Sequence, residues 1–247
     1  MVNVCFAGLT GWTARSAAGR SLGEFGGSSA GSVYATVVEA LEAAEVDVLV
    51  DYTSATAVRQ HVETAVDAGV HVVVGSSGLS SEDYADLDRR AKQQRVGVFA
   101  AGNFSVMAAV LLRAAQVAAQ HLDHWEILDY ASNGKHDVPS GTARELAEAL
   151  AQVREPSGAV PLEELHGPVE ARGAEVGGSR VHSVRLPSFV VSTEIVFGGS
   201  GERLTMRHDT GESPQPYVDG SLLAIRRVAD VPGVRRGLDT LIFDGQL

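Results

Sequence analysis

Val2-Asn3-Val4-Cys5-Phe6-Ala7-Gly8-Leu9-Thr10-Gly11-Trp12-Thr13-Ala14, near the start of the chain, is the stretch on which the fold turns. Its first six residues form a short apolar run with β-branched side chains, the pattern of a strand buried on both faces, and the run stops at Gly8. Gly8, Gly11 and Ala14 then fit a G-x-x-G-x-x-A turn, in which glycines let the backbone approach a pyrophosphate and a following helix N-terminus supplies amide donors. On these residues alone, a plain glycine turn in a sheet protein is the competing reading.

The segments that follow favour the phosphate-binding reading. Val33 to Ala44 carries apolar residues at helical spacing and leads into VDVLVDYTS, a second buried strand ending at Asp51. Ala57 to Ala68 reads as a helix, HVVVGSSG as a third strand, Ser81 to Gln94 as a helix and VGVFAAGN as a fourth strand. Ser80 or Ser81 ahead of Glu82 and Asp83 is a good N-cap, with acidic groups that suit the helix dipole. Strand and helix alternating at this rhythm imply βαβ crossovers and a Rossmann-like parallel sheet, with ligands beyond the carboxyl ends of its strands.

The rhythm changes after Asn103. Ser105 to His121 is one long alanine-rich helix, followed by the strand WEILDYAS and a helix opening at Pro139-Ser140-Gly141-Thr142. From Ser179, SRVHSVRLPSFVVSTEIVFG and ERLTMRHDT alternate apolar and polar residues, as antiparallel strands with one covered face do. Glu155 to Gly178, richer in Pro, Gly and Glu, reads as a surface connection. The expected fold class is therefore α/β, a parallel-sheet domain over 1–104 followed by an α+β domain with a mixed or antiparallel sheet over 105–219. The helical run from Gly220 to Val228 suggests that 220–247 returns to the first domain.

Composition narrows the function classes. With 247 residues, 45% of them hydrophobic, the chain can bury two modest cores. A net charge of -11 argues against a nucleic-acid partner, which needs a basic surface. No apolar run approaches the ~20 residues of a membrane span, and the opening stretch has no basic leader, so a soluble cytoplasmic protein is expected. The one cysteine, Cys5, sits in an apolar strand and reads as core, and no pair of histidines has metal-ligand spacing, so no metal is expected.

Three small-residue loops fall at consecutive strand ends: the first glycine turn, Gly75-Ser76-Ser77-Gly78, and Ala101-Gly102-Asn103-Phe104. They would let a flat ring lie against backbone. The most informative segment is Asp129-Tyr130-Ala131-Ser132-Asn133-Gly134-Lys135-His136-Asp137-Val138-Pro139-Ser140-Gly141-Thr142-Ala143. A helix starting at Ser140-Gly141-Thr142 presents unpaired amides and a positive dipole end to a carboxylate, and Lys135 lies close enough in sequence to add a charge.

AGLTGWT, DYTS, VVVGSSGLS, AAGNFSV, EILDYASNGKHDVPSGTA, HSVRLP and EIVFGG followed by GERLTMRHD, in this order over nearly the whole chain, resemble the dihydrodipicolinate reductase family of lysine biosynthesis. The resemblance implies that NADPH or NADH binds the N-terminal domain and that hydride passes to a cyclic imine dicarboxylate held by the C-terminal one. It puts the cofactor at Gly8, Thr10, Gly11, Trp12, Arg20, Asp51, Tyr52, Thr53, Gly75, Ser76, Ser77, Ala101, Gly102, Asn103 and Phe104. Substrate falls to Ser132, Lys135, Ser140, Gly141 and Thr142, with the family lysine on Lys135. It also implies a homo-oligomer, usually a tetramer through the C-terminal sheet and otherwise a dimer.

Two departures stand out. The family pattern E-x-H-H-x-x-K ahead of the PSGTA helix places its two histidines where this chain has Ala131 and Ser132, leaving Lys135, and His136 beside it, as the candidate acids. A general acid is worth ~10²- to 10⁴-fold in rate, so the loss is not fatal to catalysis. Second, the chain runs from Ala14 straight into Arg15-Ser16-Ala17-Ala18-Gly19-Arg20, which resembles the loop where an arginine meets a 2′-phosphate, without the helix and strand that usually precede it. His182 and His208 read as structural strand histidines, and Arg185 and Arg207 as groups that balance acidic neighbours or a dianionic ligand. Three readings stay open: a reductase with a changed substrate, the pathway reductase with Lys135 or His136 covering for the histidines, and a noncatalytic ligand-binding or assembly protein on the same fold.

Overall fold

The computed structural model describes residues 3–7, 18–21, 32–157 and 160–243, so Gly8, Thr10, Gly11 and Trp12 lie outside the described residues. In chain order the first elements are β1 (Val4–Ala7), α1 (Val37–Ala43), β2 (Val48–Asp51), α2 (Val58–Asp67), β3 (His71–Val74), α3 (Ser81–Gln94) and β4 (Gly97–Ala100). There follow α4 (Val106–Ala119), β5 (Trp125–Ala131), α5 (Gly141–Ala151), β6 (Ala174–Val176), β7 (Ser179–Arg185), β8 (Val191–Gly198), β9 (Arg203–Thr210), α6 (Gln215–Arg227), β10 (Gly233–Arg236) and α7 (Leu238–Ile242). The chain divides into two compact units, Met1–Ala101 with Gly220–Arg236, and Gly102–Asp219 with Gly237–Leu247.

The first unit is built on a five-stranded parallel sheet in the order β1-β2-β3-β4-β10. All four residues of β2 are buried, as a strand covered on both faces requires, and its Val-Leu-Val run suits the pleat. Cys5, Leu49, Val62, Val72, Leu87 and Val98 belong to one apolar core, each large aliphatic side chain there contributing roughly 1.5–3 kcal/mol on burial. Burial also pushes the Cys5 thiol up to about 12. Helix α3 starts where its cap predicts: Ser80 Oγ accepts from Asp83 N at 3.1 Å and Asp83 Oδ2 accepts from Ser80 N at 2.8 Å, a reciprocal capping box.

Register fixes where this unit's loops open. Ala7 pairs with Asp51, Asp51 with Val74 and Val74 with Ala100, so four parallel strands end in one row. The carboxyl ends of β1, β2, β3 and β4 therefore lie along one edge of the sheet, the edge at which open α/β sheets take their ligands.

The second unit carries a mixed sheet in the order β6-β7-β5-β8-β9. Strand β5 alternates buried and half-buried residues, and its buried side packs with α4 and α5 in a core containing Trp125, Ile127, Leu146, Leu150, Ile195 and Phe197. The Trp125 indole donates to Ser179 Oγ at 2.9 Å, which satisfies its only polar group inside that core.

β7 runs parallel to β5 while β8 and β9 are antiparallel, so of the mixed and antiparallel sheets expected the mixed one is found, and the 132–178 connection, which carries α5, is the crossover that parallel pairing needs. Other elements differ from the sequence reading, beginning with the 155–178 segment. That segment holds two short 3₁₀ turns and β6. Helix α6 begins at Gln215 and not at Gly220, since Pro216 occupies its first turn, where proline costs no hydrogen bond. β10 completes the parallel sheet, and 237–243 belongs to the second unit although 220–236 belongs to the first. Among the described residues no helix is long and apolar enough to cross a membrane.

Candidate active site

In the first unit the site grows from Asp51, the last residue of β2. Its carboxylate is fully buried and takes His61 Nδ1 at 2.7 Å, Thr53 Oγ1 at 2.9 Å, Thr53 N at 3.1 Å and the Ser76 hydroxyl. Burial raises its pKa, but the hydrogen bonds from His61, Ser76 and Thr53 together outweigh burial and hold it below the usual carboxylate value. Asp51 thus faces into the unit and ties the loop after β2 to the loop after β3. Gly75 N donates to Asp51 O at 2.8 Å and Ala101 N to Val74 O at 3.2 Å, so the three loops start from one hydrogen-bonded row.

Tyr52, the next residue, is 41% exposed and lays its ring on Gly75. A Cβ at Gly75 would stand 2.1 Å from Tyr52 Cε1, so glycine is what lets the ring lie there. The Tyr52 hydroxyl meets Ser221 Oγ of α6 at 2.8 Å. Ser76 and Ser77 are half-buried, and Arg20 is exposed on the short antiparallel bridge joining Ser21 to Ser32.

In the second unit the site is the start of α5. Ser140 caps the helix, accepting from Ala143 N at 3.3 Å, while its own amide donates to Asp129 Oδ2 at 2.9 Å. The amides of Gly141 and Thr142 are the first-turn donors that neither the cap nor Asp129 takes up, and the dipole's positive end adds to them. Thr142 Oγ1 donates to Gly102 O at 3.1 Å and accepts from Asn103 Nδ2 at 3.2 Å. Gly102 N donates to Glu145 Oε2 at 3.0 Å, so the 102–103 segment is bonded along the first turns of α5. A Cβ at Gly102 would meet Gly141 O at 2.4 Å, a backbone approach that only glycine permits.

Lys135 follows a turn closed by its amide on Ser132 O at 3.1 Å, and its ammonium pairs with Asp137 at 2.9 Å. His136 is exposed, as neighbouring residues on an extended chain diverge, and Ser132 is half-buried. Phe104, at 2% exposure, and Ala101, at 7%, are buried. The residues expected to bind therefore gather at two places: Asp51 to Thr53 with Gly75, Ser76, Ser77 and Ala101 in the first unit, and Gly102 and Asn103 with Ser132, Lys135 and Ser140 to Thr142 in the second. Sequence reasoning missed His61 and Glu145, and gave Arg185 an acidic neighbour without naming it as Asp129. Helical spacing ten residues beyond Asp51 gave no sign that His61 would turn back onto it.

A parallel sheet with its small-residue loops along one carboxyl edge, joined to a mixed-sheet unit that offers a cation and a helix N-terminus, defines a two-unit dehydrogenase fold. The amine dehydrogenase of Mycobacterium smegmatis shares that fold, with a TM-score of 0.58 at 16% identity over 92% of this chain and 86% of that one. The chain belongs to the dihydrodipicolinate reductase family, NAD(P)H-dependent enzymes that reduce a cyclic imine: residues 7–104 match the family's N-terminus and 104–241 its C-terminus. It is 37% identical over 210 residues to the 4-hydroxy-tetrahydrodipicolinate reductase of Shouchella clausii (strain KSM-K16), covering 85% of this chain and 79% of that one. Among solved structures, the dipicolinate-bound dihydrodipicolinate reductase from Paenisporosarcina sp. TG-14 has a TM-score of 0.64 at 29% identity, over 84% of this chain and 78% of that one.

Proposed function

We propose that this chain transfers hydride from NADH or NADPH to the cyclic imine of tetrahydrodipicolinate, or a close unsaturated dicarboxylate, with Lys135 as the cation and proton donor of the substrate site. The observation that carries the reading is the start of α5, where the Gly141 and Thr142 amides are left for a ligand and Lys135 stands on the preceding loop. A carboxylate there would gain two backbone donors and the helix dipole. For the Thr142 hydroxyl to join them, its proton must leave Gly102 O. Ala131 is buried and Ser132 carries no basic group, so neither supplies the acid that the family's histidines would.

Cofactor binding is read onto the first unit's row of strand ends. The fit rests on Gly75, where the absence of a side chain leaves backbone and the Tyr52 ring as one surface, and on Asp51 holding Thr53 and Ser76 in place. The bound nicotinamide supplies the hydride. The chain's own groups position the imine and deliver the proton to the ring nitrogen.

The test is turnover of the Lys135→Ala variant. A fall of ~10²- to 10⁴-fold in kcat with cofactor affinity retained supports Lys135 as the acid; unimpaired kcat refutes it, and His136→Ala then becomes the decisive variant. A cytoplasmic homo-oligomer, tetramer or dimer, belongs to the same proposal. It is supported by the half-buried residues Glu126, Leu128 and Tyr130 on the face of β5 turned away from its helices. Sedimentation of the purified chain as a monomer at micromolar concentration would refute the oligomer.

A further inference from the structure

A buried carboxylate and a half-buried guanidinium in the second unit have no part in the chemistry proposed above, yet they are bonded to the loop that carries Lys135 and to the cap of α5. Asp129, on β5, has a fully buried side chain whose Oδ2 takes Ser140 N at 2.9 Å, Ser183 Oγ at 2.9 Å and Arg185 Nη2 at 2.7 Å. Arg185, at the end of β7, also donates from Nη2 to Asp137 O at 2.9 Å, and from Nη1 to Asp129 O at 3.2 Å and Val184 O at 3.0 Å. Asp137 in turn pairs with Lys135 at 2.9 Å. One guanidinium therefore joins two strands, the Lys135 loop and, through Asp129, the residue that caps α5.

Stability is a poor account of this pair. The Asp129 carboxylate is fully out of water and the Arg185 guanidinium largely so, which costs desolvation energy, and an ion pair of this kind commonly does no better than apolar side chains of the same size. Here Asp129 Oδ1 and Arg185 Nε are themselves buried without a hydrogen-bond partner, so the burial is incompletely compensated. What the arrangement does provide is geometry. A planar guanidinium offers donors in a rigid fork and can hold the Asp129 carboxylate and the Asp137 carbonyl at once, which an ammonium on a flexible stem cannot do with the same directions. Burial raises the Asp129 carboxyl's pKa, but its donors from Ser140, Arg185 and Ser183 outweigh burial, so it stays ionised and the fork stays engaged near neutral pH.

We propose that Arg185 and Asp129 are positioning residues of the substrate site, a clamp that sets Lys135 and the Gly141 and Thr142 amides in one arrangement matched to a dicarboxylate. The inference rests on the substrate-site reading of the preceding section. Neither residue is asked to touch substrate; Arg185 acts through the Asp137 backbone on Lys135, and Asp129 acts through the Ser140 amide on the first turn of α5. Without the histidines that the family pattern places at 131 and 132, the loop has fewer groups to meet a ligand, and the burden of orientation falls on its anchoring.

The test compares wild type with Arg185→Lys, which keeps the charge and loses the fork, and with Ser183→Ala, which removes one Asp129 donor without touching the loop. Four quantities are read: dipicolinate affinity by calorimetry, NAD(P)H affinity by fluorescence, melting temperature, and hydrogen exchange over 132–142. In Arg185→Lys, dipicolinate binding is expected to weaken by ~10- to 100-fold, the worth of one hydrogen bond to a charged group put out of place. NAD(P)H affinity should stay within about twofold, the expectation for a site on the other unit's loops, and exchange over 132–142 should quicken. Ser183→Ala should resemble wild type in both affinities.

A folded Arg185→Lys protein with unchanged dipicolinate affinity overturns the clamp and leaves the reductase reading standing. Parallel loss of both ligands with the melting temperature also overturns it, because that is the mark of a general structural role. Should wild type neither turn over nor bind dipicolinate, the substrate reading fails first, and unchanged exchange over 132–142 in Arg185→Lys would then dispose of the clamp separately.

Discussion

Gly102→Ala tests how closely the 102–103 segment must lie against α5. The added Cβ would sit 2.4 Å from Gly141 O and 2.7 Å from its carbonyl carbon, both backbone atoms, and 3.2 Å from Glu145 Cβ. Ordinary contact needs 3.4 Å or more, so the two segments must part by about 1 Å. That separation takes the Thr142 Oγ1 to Gly102 O bond from 3.1 Å, and the Gly102 N to Glu145 Oε2 bond from 3.0 Å, past any useful length. One neutral bond at about 1 kcal/mol and one to a charged group at about 1.5–3 kcal/mol would be lost. Gly102 is exposed and water recovers part of both, so a net cost of about 1–3 kcal/mol is expected. For a chain of this size that lowers Tm by roughly 2–12 °C. Differential scanning calorimetry gives the first number, and the KM for substrate should rise together with it as Thr142 moves. A variant with wild-type Tm and wild-type KM would show that the segment does not need this approach, and the reasoning would fail.

Three other outcomes follow from the same coordinates. Thr142→Val should raise the substrate KM by ~10- to 100-fold, the worth of a hydrogen bond to a charged group, and unchanged saturation would remove Thr142 from the carboxylate grip. Gly97→Ala would drive a Cβ to 1.8 Å from Val228 O, a backbone atom, so urea titration should show a loss of about 1–3 kcal/mol or an unfolded chain; a neutral result would contradict the packing of β4. Asp51 and Asp129 titrate lower in the folded state than unfolded, so their stabilisation is complete above ~3.9 and is lost as pH falls through the folded-state values. The stability gap between wild type and Asp51→Asn should therefore be wide at neutral pH and narrow below pH ~4; a gap independent of pH would refute the ionised role of Asp51.

Periodicity carried the first unit because its strands are covered on both faces. Val48 to Val50 and Val72 to Val74 are unbroken apolar runs, with Asp51 and His71 as the polar ends of their strands, and α3 lies over Ser81–Gln94 as its cap required. β10 was illegible for the opposite reason: Gly233-Val234-Arg235-Arg236 has one aliphatic side chain, and its place in the sheet comes from backbone pairing with β4 and from Asp88 accepting Val234 N at 2.9 Å. For the second sheet, mixed and antiparallel forms stayed open together, because alternation reports one covered face and says nothing of strand direction. The start of α5 was readable from its cap motif, Ser140, in the same short segment as Lys135. The partners of Asp51 and Asp129 were not, because His61 and Arg185 reach them across long or unrelated stretches of chain that only the folded structure brings together.

Oxidation of NADH and NADPH by the purified chain, with tetrahydrodipicolinate generated in the cuvette, addresses the central claim most directly. Turnover with either nucleotide, dependent on the imine, is the predicted result, and would show that the chain reduces the imine without the histidine pair. Absence of turnover with both nucleotides, in a preparation shown to bind cofactor, would contradict the account and leave this chain a protein of the reductase fold that does not reduce this imine.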